Sequence, residues 1–123
     1  MTVQHRELAS GRWNEMSLVE QLGNIGSEVE RALKWKKNNN PDYCMRAFER
    51  ALELLDLTLA SPPNRLRLKE IARTREALVD FFYGENQFAT TEKSLSAYFL
   101  RFACAARRIA PPNRSIPGGG APQ

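Results

Sequence analysis

Residues 17–37 read SLVEQLGNIGSEVERALKWKK, and this stretch decides the fold class of the chain. Its apolar residues recur at intervals of three and four, the period of one helical face: Leu18, Leu22, Ile25, Val29 and Leu33. Ser17 and Glu20 have the spacing of a capping box, which satisfies two backbone N–H groups at a helix start. Lysines close the stretch, where cations complement the helix dipole. The sequence therefore predicts an amphipathic helix that begins after Ser17.

Three further helices are predicted downstream, each bounded by residues that start or stop helices. The second begins at Pro41, which suits a first helical turn, with Asn40 as its cap, and ends near Ser61, before two prolines. The third covers about residues 64–83 and turns an apolar stripe inward that includes Leu68, Ile71 and Leu78. Thr90 or Thr91 caps the fourth. Short loops between consecutive helices favour antiparallel neighbours. We therefore expect an all-α fold, an antiparallel up-down-up-down four-helix bundle with a disordered C-terminal tail.

Length and composition fit a single domain. The chain has 123 residues, of which 42% are hydrophobic, enough for one compact core. We expect residues 1–12 to be a flexible lead-in, 13–110 to form the bundle, and the Pro/Gly-rich 111–123 to be a flexible tail. No segment has the apolar length of a membrane span or of a secretory signal. The expectation is a cytoplasmic protein without membrane contact.

Positive charge is concentrated in the second half of the chain. Residues 1–60 carry eight Lys and Arg against nine Asp and Glu, whereas 61–123 carry ten against five. In the predicted topology the start of the third helix and the end of the fourth lie at the same end of the bundle. Six cations meet there, and we call them the basic end: Arg65, Arg67, Lys69, Arg101, Arg107 and Arg108. Such a cluster suits the phosphates of RNA or DNA.

The competing interpretation of the basic end is an ordinary solvated surface. Cations at the C-terminus of a helix complement its dipole without binding anything. The sequence also shows no exposed row of aromatic residues on which bases would stack. An acidic protein surface is another partner that such a charge balance permits.

Arg75 falls on the apolar stripe of the third helix, so its guanidinium is expected to point partly into the bundle. It then needs an acidic partner, for which Glu28 and Asp56 are the candidates. In a buried ion pair, Arg75→Ala would destabilise the protein by about 3–5 kcal/mol. A loss below roughly 1 kcal/mol would indicate an exposed side chain. The alternatives are a polar pocket, with Asp80 as a further member, and a side chain that lies along the surface.

Two glycines inside the first helix need a physical explanation, because each is about 1 kcal/mol less favourable there than alanine. Gly23, Gly26 and Ser27 make a shallow helix face that a neighbour can approach closely. Tight packing of another helix of the same chain is the main interpretation. A contact in a homo-oligomer and a ligand crevice that also uses Asn24 and Glu28 are the alternatives.

Catalysis has little support in the sequence. The only histidine, His5, lies in the lead-in, and neither a Glu-x-x-His pair nor a phosphate-binding glycine loop occurs. Cys44 and Cys104 are too few for a zinc site or a disulfide framework, and we expect both to stay reduced. We therefore predict no catalytic residue, no metal and no cofactor, and favour a non-enzymatic protein.

Residues 75–83, REALVDFFY, resemble the third-helix motif of the HEPN family, helical bundles that include toxin ribonucleases and partners of minimal nucleotidyltransferases. Arg75 and Tyr83 match the arginine and the aromatic residue of the motif. Asp80 stands where the catalytic histidine would be. The resemblance implies a binding-only version of the domain. An HEPN-like ribonuclease or a toxin–antitoxin component is the corresponding alternative function.

Residues 13–28 and 50–58 together resemble a family of small prokaryotic helical-bundle proteins of uncharacterised function. In architecture and charge the chain is also similar to the small basic four-helix accessory proteins of diversity-generating retroelements, which assist a reverse transcriptase and its RNA. The leading hypothesis is an accessory module that binds RNA, or a protein that handles nucleic acid. A structural homo-oligomer is the third possibility.

Overall fold

Four helices make up most of the protein in the computed structural model, which describes residues 11–109. In chain order they are α1 (Leu18–Lys37), α2 (Pro41–Ala60), α3 (Leu68–Phe82) and α4 (Glu92–Ile109). Two short 3₁₀ helices, Arg12–Glu15 and Pro62–Arg67, precede α1 and α3. No strand occurs between residues 11 and 109, and the prediction of an all-α four-helix bundle is confirmed.

The outer segments of the prediction fall largely outside this range. The predicted tail, 111–123, and all of the predicted lead-in except Gly11 and Arg12 lie beyond the described residues. Arg12 already belongs to the first 3₁₀ helix. Helical structure thus begins slightly earlier than the expected position at Trp13.

The helix starts have the capping contacts that the sequence predicts. Ser17 Oγ accepts a hydrogen bond from the Glu20 amide at 3.1 Å, and Glu20 Oε1 accepts one from the Ser17 amide at 3.1 Å, which completes a capping box. The side chain of Asn40 caps α2, with proline in the first helical position. Of the two threonines considered for α4, Thr91 is the cap, because its hydroxyl accepts from the amide of Ser94 at 3.0 Å.

Helix α1 lies at the centre of the bundle. It packs along both α2 and α4, whereas α3 lies mainly against α2 and has few contacts with α4. The contacts between α2 and α3 run antiparallel, since Asp56 meets Arg75 and Phe48 meets Phe82. The largest fully buried apolar side chains form one core: Trp13, Leu22, Ile25, Val29, Phe48, Leu55, Ile71, Leu78 and Phe99.

Helix α3 begins later than predicted and buries less of its apolar stripe. The chain winds as a 3₁₀ helix to Arg67, and the α-helix starts only at Leu68. Ile71 and Leu78 are buried as predicted, but Leu68, predicted to face inward, is 37% exposed. The reason is that α3 packs chiefly against one neighbour, so the edges of its stripe remain open to solvent.

A buried polar network fixes both 3₁₀ helices to the bundle. Trp13 Nε1 donates to Thr58 Oγ1 at 2.9 Å, and Gln21 Nε2 donates to the Trp13 carbonyl at 2.8 Å. Asn64 Nδ2 donates to Gln21 Oε1 at 2.8 Å and to the Thr58 carbonyl at 3.0 Å. None of the four side chains is more than 5% exposed. Because they satisfy one another, their burial does not leave polar groups unpaired.

Candidate functional site

The antiparallel topology brings the start of α3 and the end of α4 to the same end of the bundle as the start of α1. All six residues of the basic end are exposed there: Arg65, Arg67, Lys69, Arg101, Arg107 and Arg108. Their side chains do not form a single cluster. They divide between the α3 side and the α1 side of α4.

On the α3 side, Glu70 is the point where two of the predicted cations meet. Arg67 donates to Glu70 Oε1 from Nη2 at 2.5 Å and from Nε at 3.0 Å. Tyr98 of α4 donates to Glu70 Oε2 at 3.1 Å, and Arg101 lies over the Tyr98 ring, with its Cζ 5.3 Å from the ring centroid. The Glu70 carboxylate thus links α3 to α4 through Tyr98.

The charges around Glu70 shift its titration. The hydrogen bond from Arg67 is the main cause that lowers the pKa of Glu70, and the bond from Tyr98 and the charges of Arg67 and Arg101 lower it further against partial burial. Burial is in turn the main cause that raises the pKa of Tyr98. Glu70 is therefore an anion at neutral pH and neutralises part of the positive charge on this side.

The 3₁₀ helix before α3 positions two of the cations. Its buried residue, Asn64, is held by Gln21 and Thr58, and the next residues, Arg65 to Arg67, point into solvent. Leu66 is 95% exposed between the two arginines. The buried, hydrogen-bonded Asn64 thus fixes the start of a short exposed basic segment, which has one apolar side chain, that of Leu66, at its centre.

On the α1 side, Arg107 lines a cavity of about 590 Å³ between α1 and α4. Arg12 from the first 3₁₀ helix lines the same cavity, together with Glu15 and Glu20. Arg107 Nη2 also lies 3.5 Å from Cys104 Sγ. Arg12 falls within the lead-in predicted from the sequence, and it lies at the basic end next to the buried Trp13.

The four residues predicted to form a polar pocket or ion pair lie in three separate places. Arg75 Nε donates to Asp56 Oδ1 at 2.8 Å, with 35% and 53% of the side chains exposed. Glu28 instead accepts from Arg31 and Arg50, at 2.8 and 3.2 Å. Of the two candidate partners for Arg75, Asp56 is therefore the actual one. The pair lies at the surface, because the edge of the α3 stripe is open.

Asp80 organises the loop after α3 and does not join the Arg75 pair. Its carboxylate accepts hydrogen bonds from the amides of Gln87 and Phe88, at 2.8 and 3.0 Å. Asp80 therefore closes the loop that follows α3.

The glycines of α1 are where α4 approaches most closely. A Cβ at Gly26 would lie 2.6 Å from the Cβ of Phe99, and one at Gly23 would lie 3.4 Å from the Cα of Ala103. Contact with another helix of the same chain therefore accounts for both glycines. Ser27 is exposed and lines the cavity between α1 and α4.

Groups suited to catalysis or metal binding are scarce in the described part of the chain. Residues 11–109 contain no group of three or more His, Cys, Asp or Glu side chains placed to hold a metal ion. Burial raises the pKa of the Cys44 thiol, which disfavours the reactive thiolate. None of the described helices is long and apolar enough to cross a bilayer.

Three aromatic side chains are well exposed, but none of them lies at the basic end, for which the sequence showed no exposed aromatic row. Tyr83, Phe88 and Tyr43 are 62%, 59% and 45% exposed. All three lie at the end of the bundle opposite the basic end, where α1 and α3 finish and α2 and α4 begin. Their exposure was predictable from their position, because all three lie next to helix ends and not on the apolar stripe of a helix. No family model, curated protein or solved structure matches this chain.

Proposed function

We propose that the protein is a non-enzymatic helical module that binds RNA through its basic end. The observation that carries the proposal is the exposure of six cations at one end of the bundle, where Glu70 on the α3 side and Glu15 and Glu20 on the α1 side are the neighbouring carboxylates. An excess of exposed Arg and Lys on one surface attracts the phosphate backbone and releases its counterions.

The shape of the basic end suits a phosphate backbone better than a single phosphate. Arg67 and Arg101 lie on the α3 side and Arg107 on the α1 side, so the charge spreads over the end of the bundle rather than converging on one point. Distributed cations of this kind give affinity with little sequence preference. DNA is the related ligand that the binding measurements must separate from RNA.

The test is binding of a blunt RNA duplex, a matched DNA duplex and single strands across a salt series. Duplexes isolate phosphate contacts, since their bases are already stacked. Each phosphate contact contributes about 0.9 to the slope of log K against log salt on a duplex. The double variant Arg107→Glu/Arg108→Glu should weaken binding to all duplexes and reduce that slope by about two.

A matched control reverses two exposed cations outside the basic end. The variant Arg31→Glu/Lys93→Glu has the same change in net charge, with one substitution on the middle of α1 and one at the start of α4. It should bind duplexes nearly as well as the parent protein. Equal losses in both double variants would mean that net charge alone drives binding, and no binding at about 50 mM salt would contradict the proposal.

A nucleic-acid-handling protein is the second candidate partner, favoured by Leu66. This side chain is 95% exposed and flanked by Arg65 and Arg67, an arrangement that fits an apolar contact on an acidic partner. Leu66→Ser should leave duplex affinity unchanged if the partner is RNA. The HEPN-like ribonuclease stays a hypothesis without a contact in its favour, since Arg75 and Asp80 bind Asp56 and the loop amides.

A further inference from the structure

Two groups of aromatic side chains lie at the end of the bundle opposite the basic end, one from α1 and α2 and one from the end of α3. We call this surface the aromatic end and define it by Trp35, Tyr43, Phe81, Phe82 and Tyr83. The centroids of Trp35 and Tyr43 are 4.9 Å apart, and those of Phe81 and Phe82 are also 4.9 Å apart. Phe48, which is 1% exposed, contacts both Phe82 and Tyr83. The exposed ring of Tyr83 therefore packs on a buried one.

Cations lie over the rings of this surface. Lys34 Nζ is 5.6 Å from the centroid of Trp35, and Lys36 Nζ is 5.5 Å from that of Phe81. Arg46 Cζ is 5.4 Å from the centroid of Tyr43. Residues 34–46, which include the turn between α1 and α2, carry four cations and a single carboxylate, that of Asp42. The α1–α2 side of the surface thus combines ring faces with local positive charge, whereas the residues that follow Tyr83 at the same end include Glu85 and Glu92.

A cavity of about 370 Å³ opens between these groups. Lys36, Asn39 and Asn40 line its polar side, and Met45 and Phe82 belong to its apolar side. This volume falls in the range of small-ligand pockets, about 300–1,000 Å³. An aromatic ring beside amide groups and a lysine offers a stacking face, hydrogen bonds for a base edge and a cation for the adjoining phosphate.

We infer that the aromatic end binds unpaired bases of a single-stranded nucleic acid, by stacking on Tyr43 and Tyr83 and by contacts of Lys34, Lys36 and Lys37 with its phosphates. Exposed rings interleaved with cations are the recurring design of surfaces for single strands. A duplex cannot use the rings, because its bases are stacked on one another. The inference does not rest on the proposed function, since it uses none of the residues of the basic end.

The intrinsic fluorescence of Trp35 can report ligand binding at the aromatic end. Of the protein's two tryptophans, Trp13 is 1% exposed and belongs to the network near the basic end, whereas Trp35 contacts Tyr43 directly. The experiment is a titration of tryptophan fluorescence with short single-stranded RNA and DNA oligonucleotides. We expect quenching by single strands and little quenching by a blunt duplex of the same sequence. Trp35→Phe should remove the signal while Trp13 continues to emit.

Variants at Tyr83 decide whether the rings bind bases. Tyr83→Ala should weaken single-strand binding by about five- to a hundredfold, the effect of losing one stacked base. Tyr83→Phe keeps the ring and should bind within twofold of the parent protein, which also shows that the site is folded. Leu100→Ala is the matched control, because Leu100 is 58% exposed on α4 and lies outside this end.

Any of these outcomes would overturn the inference: no quenching of Trp35 by any single strand, equal quenching of Trp35 by duplex and single strand, or a Tyr83→Ala variant whose quenching titration gives an affinity within twofold of the parent. Inorganic polyphosphate that competes as well as an oligonucleotide would also overturn it, since that polymer has no bases. Arg107→Glu/Arg108→Glu should leave the quenching by a six-nucleotide strand intact. Failure of the aromatic end and failure of the basic end are therefore distinguishable.

Discussion

Trp13 and Thr58 are 45 residues apart in the sequence, and a hydrogen bond of 2.9 Å joins the indole Nε1 of the first to the hydroxyl of the second. Both side chains are essentially buried, at 1% and 0% exposure. The Thr58 hydroxyl in turn donates to the carbonyl of Leu54 at 2.8 Å. This bond attaches the segment before α1 to the far end of α2, and Arg12 takes its place at the basic end as a result.

Replacing Thr58 tests the energetic importance of that bond. Thr58→Val keeps the shape of the side chain but leaves the buried indole N–H without its acceptor, so the free energy of unfolding should fall by about 1–3 kcal/mol. Thr58→Ser keeps the hydroxyl and loses one methyl group. Urea denaturation of the three proteins gives the comparison. A valine variant as stable as the parent would show that the N–H finds another partner.

The Arg75–Asp56 pair should contribute little to stability. With 35% and 53% of the two side chains exposed, solvent screens the attraction. Arg75→Ala should therefore lower the free energy of unfolding by less than about 1 kcal/mol, as for other surface pairs. A double-mutant cycle with Asp56→Ala isolates the interaction. A coupling of several kcal/mol would mean that the pair is buried in solution.

The two glycines of α1 should respond oppositely to alanine. Gly26→Ala would place a Cβ 2.6 Å from the Cβ of the buried Phe99, too close for both helices to stay in place, so overpacking should destabilise by about 1–3 kcal/mol. Gly23→Ala meets Ala103 at 3.4 Å, an ordinary contact. There the gain in helix propensity, up to about 1 kcal/mol, should leave the variant as stable as the parent or more so.

Thermal denaturation of the two alanine variants under one set of conditions measures the contrast. Similar stability losses at both positions would show that α4 does not lie closer to Gly26 than to Gly23. The close approach of α4 would then no longer account for the glycines of α1.

Glu70 should make stability depend on pH in the acid range. Its pKa is lower in the folded protein than in the unfolded chain, chiefly because of the hydrogen bond from Arg67, so the unfolded state binds its proton more readily. The contribution of Glu70 is therefore complete above the ordinary pKa of a glutamate and is lost as the pH falls through the lower folded value. Stability should decrease with acidification over this window.

The Glu70→Gln variant isolates this contribution, because glutamine keeps the size and an acceptor for Tyr98 but has no charge. The difference in unfolding free energy between the parent and the variant should be constant near neutral pH and shrink as the carboxylate protonates. A difference that does not change between about pH 7 and pH 3 would contradict the assignment, since an ordinary glutamate titrates within that span.

Local signals were sufficient to predict the helices. Ser17 with Glu20, and Asn40 before Pro41, are short-range patterns whose capping bonds form within one turn. The buried network was not predictable in the same way. Gln21, Thr58 and Asn64 look like surface residues in the sequence, and only the packing of four separate segments makes them mutual partners.

Arg75 and Tyr83 show the limit of reasoning from periodicity. Arg75 occupies a position on the apolar stripe of α3, but its exposure depends on how closely the neighbouring helix packs. The sequence of α3 alone does not predict that distance. Tyr83 follows the last residue of α3. Beyond the helix end, the helical period no longer predicts whether a side chain faces the core or the solvent. Its exposure is set by the packing of Phe48 and by the loop that Asp80 closes.

The position of α3 at the margin of the bundle has a consequence for hydrogen exchange. Because α3 packs mainly on α2 and reaches α4 chiefly through Tyr98, its amides should exchange by a local opening of lower free energy than those of α1. Lys69 lies near its first residue and Phe82 at its last, so this one helix belongs to both ends of the molecule. A ligand bound at either end should therefore slow exchange along the whole of α3.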